Sequence, residues 1–399
     1  MDNFLDSVRP LYILSSIFCI RKYSVRDGIA STISLKEMII TISANCILIY
    51  LFCSTFQSTE LKEISLKLYY LVIYGQHVFS FVIISCHNMR LSKVFVELIK
   101  ILQEIYNFER NQLSSKSVKR KLKIACGILL YLYIGVTIPK LLLDPYWNWI
   151  RCLFLGLSII VDFEMFFIIC VIRFLALKFK TWSKVISKYS SEQKNYNCQT
   201  NFINIDSPIQ EIINTRSSQE IENLTEDGQD SDSIEVYEEF DNDNRDEAKK
   251  LFEVYDQLVN STILMKSAFQ FTVRDLLVNF NCVFVFPFDM QTRSGVLISH
   301  STGIIAWIAK ALVIQAFVGH EMEGLYTGVR ASRTAACVLV GRRHDLATTR
   351  SAKNALRLSS SRPCRFKAVG ALPVDAALPL RLAALVGSYT VVLLQFALP

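Results

Sequence analysis

The sequence predicts an all-α membrane protein with seven transmembrane helices, and three observations carry that prediction. Of 399 residues, 51% are hydrophobic and only 20% charged, with a mean hydropathy of +0.31. The apolar residues fall in long blocks of bilayer-spanning length, which about 20 residues of helix supply. Lys and Arg concentrate in alternate connecting segments, so the chain alternates sides. This composition excludes an ordinary cytosolic enzyme, a disordered chain and a fibrous one.

Taken in order, residues 1–37 form a tail with five basic residues, Arg9, Arg21, Lys22, Arg26 and Lys36. The apolar run Leu11 to Ile20 ends in Arg21-Lys22 without a small-residue cleavage site, so no signal peptide is expected. Spans follow at 38–56, 68–86, 124–143 and 153–177. A weaker one at 268–288 contains Asn279 and Asn281, and two more lie at 296–318 and 370–398. The basic segments put the N-terminus in the cytoplasm and the C-terminus outside. Trp147 and Trp149 then sit at the outer mouth between spans three and four, and Trp182 at the inner end of span four.

Between spans two and three, over 91–108, Leu91, Val94, Phe95, Leu98, Ile101, Leu102 and Ile105 form a helical stripe. Ala248, Leu251, Phe252, Tyr255, Leu258 and Val259 form a second one leading into span five. Each stripe fits a helix on the inner leaflet, or a span that continues into the cytosol and packs there. Residues 190–247, rich in Ser, Asn, Gln and acid, read as a disordered cytoplasmic loop. Within it, 219–247 hold 13 acidic side chains and a single basic one, Arg245. The net charge of +7 is thus the sum of an acidic loop and a basic remainder. Basic residues that flank apolar blocks fit a membrane surface, and no nucleic-acid partner is expected. Residues 248–318 carry the second stripe with spans five and six, and 319–369 form a further cytoplasmic segment. After Gly328 the chain turns Ala- and Arg-rich, and no Ile follows Ile314.

Chemistry-bearing motifs are few. No phosphate loop, dinucleotide fingerprint, zinc-protease helix or nucleophile elbow occurs, and the five His are dispersed. The 11 Cys show no Cys-x-x-Cys and read as small lipid-buried side chains. No catalytic residue, metal site or cofactor is expected. Four ionisable residues lie within spans: Asp162, Glu164, Lys310 and Arg381. Such groups usually face the bundle interior. They fit interhelical pairing, with Asp162 or Glu164 meeting Lys310, or contact with a polar ligand.

Polar and aromatic side chains in the outer halves of spans two to six mark a speculative ligand pocket: Tyr69, Tyr70, Tyr74, Gln76 and His77; Tyr133 and Thr137; Asn281, Phe284 and Phe286; Ser299, His300 and Trp307. Aromatic rings with a polar handle suit small amphipathic ligands, and they equally stabilise any membrane bundle.

The last span ends Ser388-Tyr389-Thr390-Val391-Val392-Leu393-Leu394-Gln395-Phe396. This resembles the signature of the insect gustatory receptor family: Thr-Tyr, five mostly hydrophobic residues, then Gln-Phe. Phe366-Lys367-Ala368-Val369-Gly370 with Asp375 resembles that family's Phe-x-Ala-x-Gly lead-in. Ser332-Arg333-Thr334-Ala335 resembles the segment after span six, and Arg9-Pro10-Leu11 the start of many members. Length, span number and an inside N-terminus fit along the whole chain. Ser388 replaces the usual Thr, and Pro373 and Pro379 can kink the start of the last span. Thr390 stands where sugar-tuned members usually have Glu.

The resemblance implies a tetrameric ligand-gated cation channel in the plasma membrane of a sensory neuron. Its subunits would be identical or mixed with other gustatory receptors, with lipid around them and a bitter or other non-sugar tastant as ligand. The last span would line the pore, with Gln395 at the gate and Phe396, Tyr389 and Ser388 beside it. The cytoplasmic helix extensions would pack as an anchor. The rival reading, a G-protein-coupled receptor, requires an outside N-terminus, an Asp-Arg-Tyr-like motif after span three and Asn-Pro-x-x-Tyr in span seven; none is present. A diverged, non-functional relative is the other alternative.

Overall fold

The computed structural model describes residues 9, 12–13, 15–16, 19–26, 29–58, 64–109, 149–203, 249–270, 272–273, 298–341, 346–362, 365–368 and 372–397. Among the described residues the protein is mostly helical, with eight helices. Two short antiparallel ribbons, which the all-α expectation did not include, complete the described secondary structure.

The first ribbon pairs β1 (Ser24–Arg26) with β2 (Ile29–Ser31). The residues between its innermost pair are Asp27-Gly28, the dipeptide a two-residue hairpin favours. Upstream, Cys19 has φ 59° and closes a helical turn. Its N–H donates to Ser16 O, and the Ile20 N–H to Ser15 O. This is the paired bonding of a left-handed helix cap, with Cys in the place Gly usually takes. Helix α1 (Leu35–Ser58) begins with a capping box. The Glu37 N–H donates to Ser34 Oγ at 3.3 Å and the Ser34 N–H to Glu37 Oε2 at 2.9 Å. Arg21 pairs with the other carboxylate oxygen of Glu37. Burial works against ionising Glu37, yet the Ser34 and Arg21 hydrogen bonds outweigh it and hold the carboxyl below its ordinary range.

Helix α2 (Ile64–Arg90) and α3 (Ser92–Glu109) are separated by a turn at Leu91. The first stripe therefore lies on a helix of its own. Helix α4 (Trp149–Ile203) has 55 residues, about 80 Å at 1.5 Å each. It overruns the expected boundary at 189, so residues 190–203 are helix and not loop. No Gly or Pro interrupts the chain from Leu177 to Ser207, so nothing local stops the helix. Helix α5 covers 249–270 and carries the second stripe. Helix α6 (Ile298–Gly341) runs through the expected end of span six at 318, and α7 (Leu346–Ser361) follows. A second ribbon, β3 (Lys367–Ala368) with β4 (Leu372–Pro373), leads into α8 (Leu378–Ala397).

The chain divides into two compact units. The first holds residues 1–177, 260–327 and 364–399. Ile20, Leu48, Val78, Phe81, Ile84 and Leu157 form one buried cluster there. Phe95 of α3, Phe167 of α4 and Phe269 of α5 meet with ring centroids 5.6 and 5.9 Å apart. The second unit holds 178–259 and 328–363. Its core stacks Trp182 on Tyr255 at 4.6 Å and Phe179 edge-on to Tyr255 at 6.1 Å. The Trp182 indole N–H donates to Leu251 O at 2.9 Å. Both stripes are thus buried by helix packing: Phe95, Leu98, Leu102 and Ile105 on one, Leu251, Tyr255, Leu258 and Val259 on the other.

Among the described residues, Leu35–Ser54 alone is both long and apolar enough to cross a membrane by length and composition, with mean hydropathy 1.7. The expected span 124–143, most of 268–288 and the loop from 204 to 247 lie outside the described residues. The six cysteines whose side chains are described are free thiols, and of these Cys170 alone is buried.

Candidate functional site: a buried ion-pair layer and the joint of the last helix

Two residues apart on α4, Asp162 and Glu164 point to faces about 200° apart. Each therefore finds its own partner. Asp162 Oδ2 accepts from Lys310 Nζ of α6 at 2.7 Å. Glu164 pairs with Lys22, which reaches in from the N-terminal segment, and both side chains are nearly solvent-free. The Lys22 ammonium also lies 4.2 Å from the Phe167 ring centroid, 5.5 Å from Phe95 and 5.6 Å from Phe269. Three ring faces and one carboxylate thus surround a buried cation, an arrangement that stabilises it through the ring quadrupoles. Of the two pairings expected for Lys310, the one with Asp162 forms. The use of Lys22 was missed, because nothing local in Arg21-Lys22 announces a partner more than a hundred residues away.

Nearby, His87 Nε2 lies 3.1 Å from Ala268 O. Burial, joined by the positive charges of Arg90 and Lys22, lowers its pKa and keeps the ring neutral. Lys178 of α4 is held down to about 8, again by burial. Gln315 of α6 is fully buried, and among the described residues neither end of its amide has a hydrogen-bond partner.

The second part of the site is the segment that carries the Phe-x-Ala-x-Gly motif and Asp375. The Tyr326 hydroxyl of α6 accepts the Phe366 N–H at 2.9 Å and donates to Val374 O at 3.0 Å. The Val374 N–H in turn donates to Phe366 O at 3.1 Å. One phenol therefore clamps both strands of the second ribbon. Burial pushes its pKa up to about 12, so it stays a hydroxyl able to donate. Asp375 caps α8: Oδ1 accepts the Ala377 N–H at 3.0 Å, its backbone oxygen the Leu378 N–H, and Oδ2 the Arg381 guanidinium at 3.1 Å. Arg381 is thus paired with the residue that caps its own helix.

Gly319 of α6 completes the joint. A Cβ there would come within 2.5 Å of Asp375 O, so only glycine lets the two backbones approach this closely. An isolated Gly inside a helical pattern was the sequence signal for this contact. Beneath the joint Phe366 and Val374 face an apolar layer that includes Met265, Phe269, Val318 and Met322 and leaves no room for a water molecule.

Beyond the joint α8 is largely uncovered. Leu380 is 74% exposed, and Leu385, Val391 and Val392 are exposed too. Of the expected pore residues, Ser388 and Gln395 are exposed, and the Ser388 hydroxyl donates to Ala384 O at 2.9 Å. Tyr389 and Phe396 lie on the helix with side chains outside the description. His77 is buried on α2, and Tyr69, Tyr70, Tyr74, His300 and Trp307 are placed on α2 and α6 by their backbones alone. Tyr133, Asn281 and Phe284 lie outside the described residues. No cluster of three or more metal-ligating side chains occurs among the described ones.

No protein-family model and no curated protein matches this chain.

Proposed function

We propose that the chain is a subunit of a ligand-gated cation channel of the gustatory receptor type, a contact chemoreceptor for a bitter or other non-sugar small molecule. The observation that carries this reading is the state of α8. The helix is fixed at its base by Tyr326, Asp375 and Gly319, while much of its length presents Leu380, Leu385, Val391, Val392, Ser388 and Gln395 without cover. At 20 residues it is about 30 Å long, the thickness of a bilayer core. A helix apolar at most positions, with one Ser and one Gln on it, fits a pore lining shared by several copies.

In this reading seven spans place the N-terminus in the cytoplasm and the C-terminus outside, in a plasma membrane. The packed helices of the second unit serve as the cytoplasmic anchor of a tetramer, homomeric or mixed with other gustatory receptors. A tastant that binds better to the open arrangement shifts the population towards it. The Tyr326 clamp carries movement of α6 into the base of α8. Gln395 faces permeating ions near the outer end.

The test is reconstitution of the full chain in lipid vesicles, with subunit number and cation current measured together. A tetramer that passes cations, with a permeability ratio altered by Gln395→Ala, supports the reading. A monomer without current contradicts it.

A further inference from the structure

Helix α7 of the second unit has two opposite faces. Thr348, Ala352 and Ala355 are buried, while Arg350, Lys353 and Arg357 stand exposed. At about 100° per residue the three cations fall within about 60° of one another, on the side away from the buried three. None of them has a carboxylate partner among the described residues, whereas Arg21, Lys22, Arg173, Lys310 and Arg381 each have one. From Gly328 to Pro363 the sequence carries eight Lys and Arg against a single acid, Asp345. We propose that this basic face of α7 is the docking surface for the acidic segment 219–247 of the same chain. The inference does not depend on the channel reading.

Charge is the first argument. The segment holds 13 acidic residues and one basic one, and seven of the 13 lie in 235–247, immediately before α5. Place is the second. Leu251 and Phe252, in the first turn of α5, share one apolar layer with Trp182 of α4 and with Ala352 and Ala355 of α7. The acidic run therefore enters α5 beside the buried side of α7. A helix with its side chains is about 10–12 Å across, and extended chain covers about 3.3 Å per residue. About four residues thus pass from one side of α7 to the other. Glu238, Glu239, Asp241 and Asp243 precede Leu251 by eight to 13 residues, which is ample.

The third argument is the tether. A partner joined by a short linker acts at an effective concentration on the order of millimolar, so ion pairs that are weak singly add up. An uncharged partner would cover Arg350, Lys353 and Arg357 without compensating them. An anionic lipid surface or any other polyanion would first have to displace the tethered carboxylates. Because the charges are exposed, the contact should weaken as salt rises.

A water-soluble carbodiimide reads the contact directly. It condenses a carboxylate with the Lys353 amine into an amide and takes up the released water as its urea. The full chain in neutral detergent, mixed with an isotopically heavy copy, is treated at low salt and at about 1 M salt, where screening shortens to about 3 Å. Products are mapped by mass spectrometry. The expected product joins Lys353 to an acidic residue of 219–247 within one chain, disappears at high salt, and persists when phosphatidylserine is added. Arg350→Glu/Arg357→Glu should lower its yield about fivefold or more, the worth of two exposed pairs. Arg350→Gln/Arg357→Gln should lower it about two- to threefold, and carries the test if the reversal does not fold. No such product at low salt, a product joining two different chains, or a yield indifferent to salt and to both variants overturns the proposal. Loss of the product to phosphatidylserine also overturns it, and makes lipid the occupant.

Discussion

Helix α4 passes through two regions that treat charge in opposite ways. Up to Leu177 its acidic side chains turn inward, and Asp162 and Glu164 are each matched to a lysine in apolar surroundings. Beyond Lys178 it becomes a one-sided helix, with Trp182 and Ile186 buried while Lys180, Lys184 and Lys188 stand exposed. Helix α1 follows the rule of the first region. Only 17% of its most apolar stretch is buried, and Ile39, Ile42, Ile47 and Ile49 are exposed. An apolar outside with paired charges inside is how a chain is built against lipid, and an apolar stripe with charges outside is how it is built against water. The comparison teaches that the two regions differ in where their charges point more than in how apolar they are.

Breaking the inner pairing should have the largest effect. Lys22→Met leaves Glu164 as a buried carboxylate without its cation, at a cost of about 3–5 kcal/mol. The double variant Lys22→Met/Glu164→Leu should recover most of that loss, as measured by thermal unfolding in detergent. Next comes Ile47→Lys, in the middle of α1. If that face meets lipid, insertion should worsen by about 2.5–3.5 kcal/mol in a glycosylation-based assay. If it meets water, the change should be negligible.

Gly319→Val tests whether the joint belongs to the tightly built region. Its side chain collides with the Asp375 backbone, and a loss of about 1–3 kcal/mol is expected, with earlier proteolysis before α8. Glu37→Gln sharpens the comparison at the capped start of α1. The native carboxyl has a depressed pKa, so its contribution is complete above the ordinary value of 4.5 and disappears as pH falls through the lower folded value. The unfolding temperatures of native protein and Glu37→Gln should differ at neutral pH, by the equivalent of about 1 kcal/mol, and converge in acid. The smallest effect is expected from Lys184→Ala, an exposed charge in the water-built region, with a change of under about 0.5 kcal/mol.

Much of this was legible in the sequence because it is local. The block 38–56 appears as α1 within a few residues, and both helical stripes are found buried where their period placed them. Asp162 and Glu164, two residues apart, had to diverge, and Lys310 was a named candidate partner. The extent of α4 was legible too, had the absence of Gly and Pro before Pro208 been weighed against its polar composition. What was not legible is non-local. Lys22 gains its aromatic cage from Phe95, Phe167 and Phe269, three residues on three helices with no shared pattern. Tyr326 was one tyrosine among 16, and only the ribbon folded against it shows that its hydroxyl serves two backbone groups.

The central claim is that the chain threads a membrane with its helical second unit on the cytoplasmic side. An epitope placed within 227–241, stained in intact and in permeabilised cells, tests it most directly. The account predicts staining only after permeabilisation, with the two glycosylation sequons of the sequence, Asn223-Leu224-Thr225 and Asn260-Ser261-Thr262, left unmodified. Staining of intact cells would put that loop outside and contradict both the inverted topology and the channel built on it.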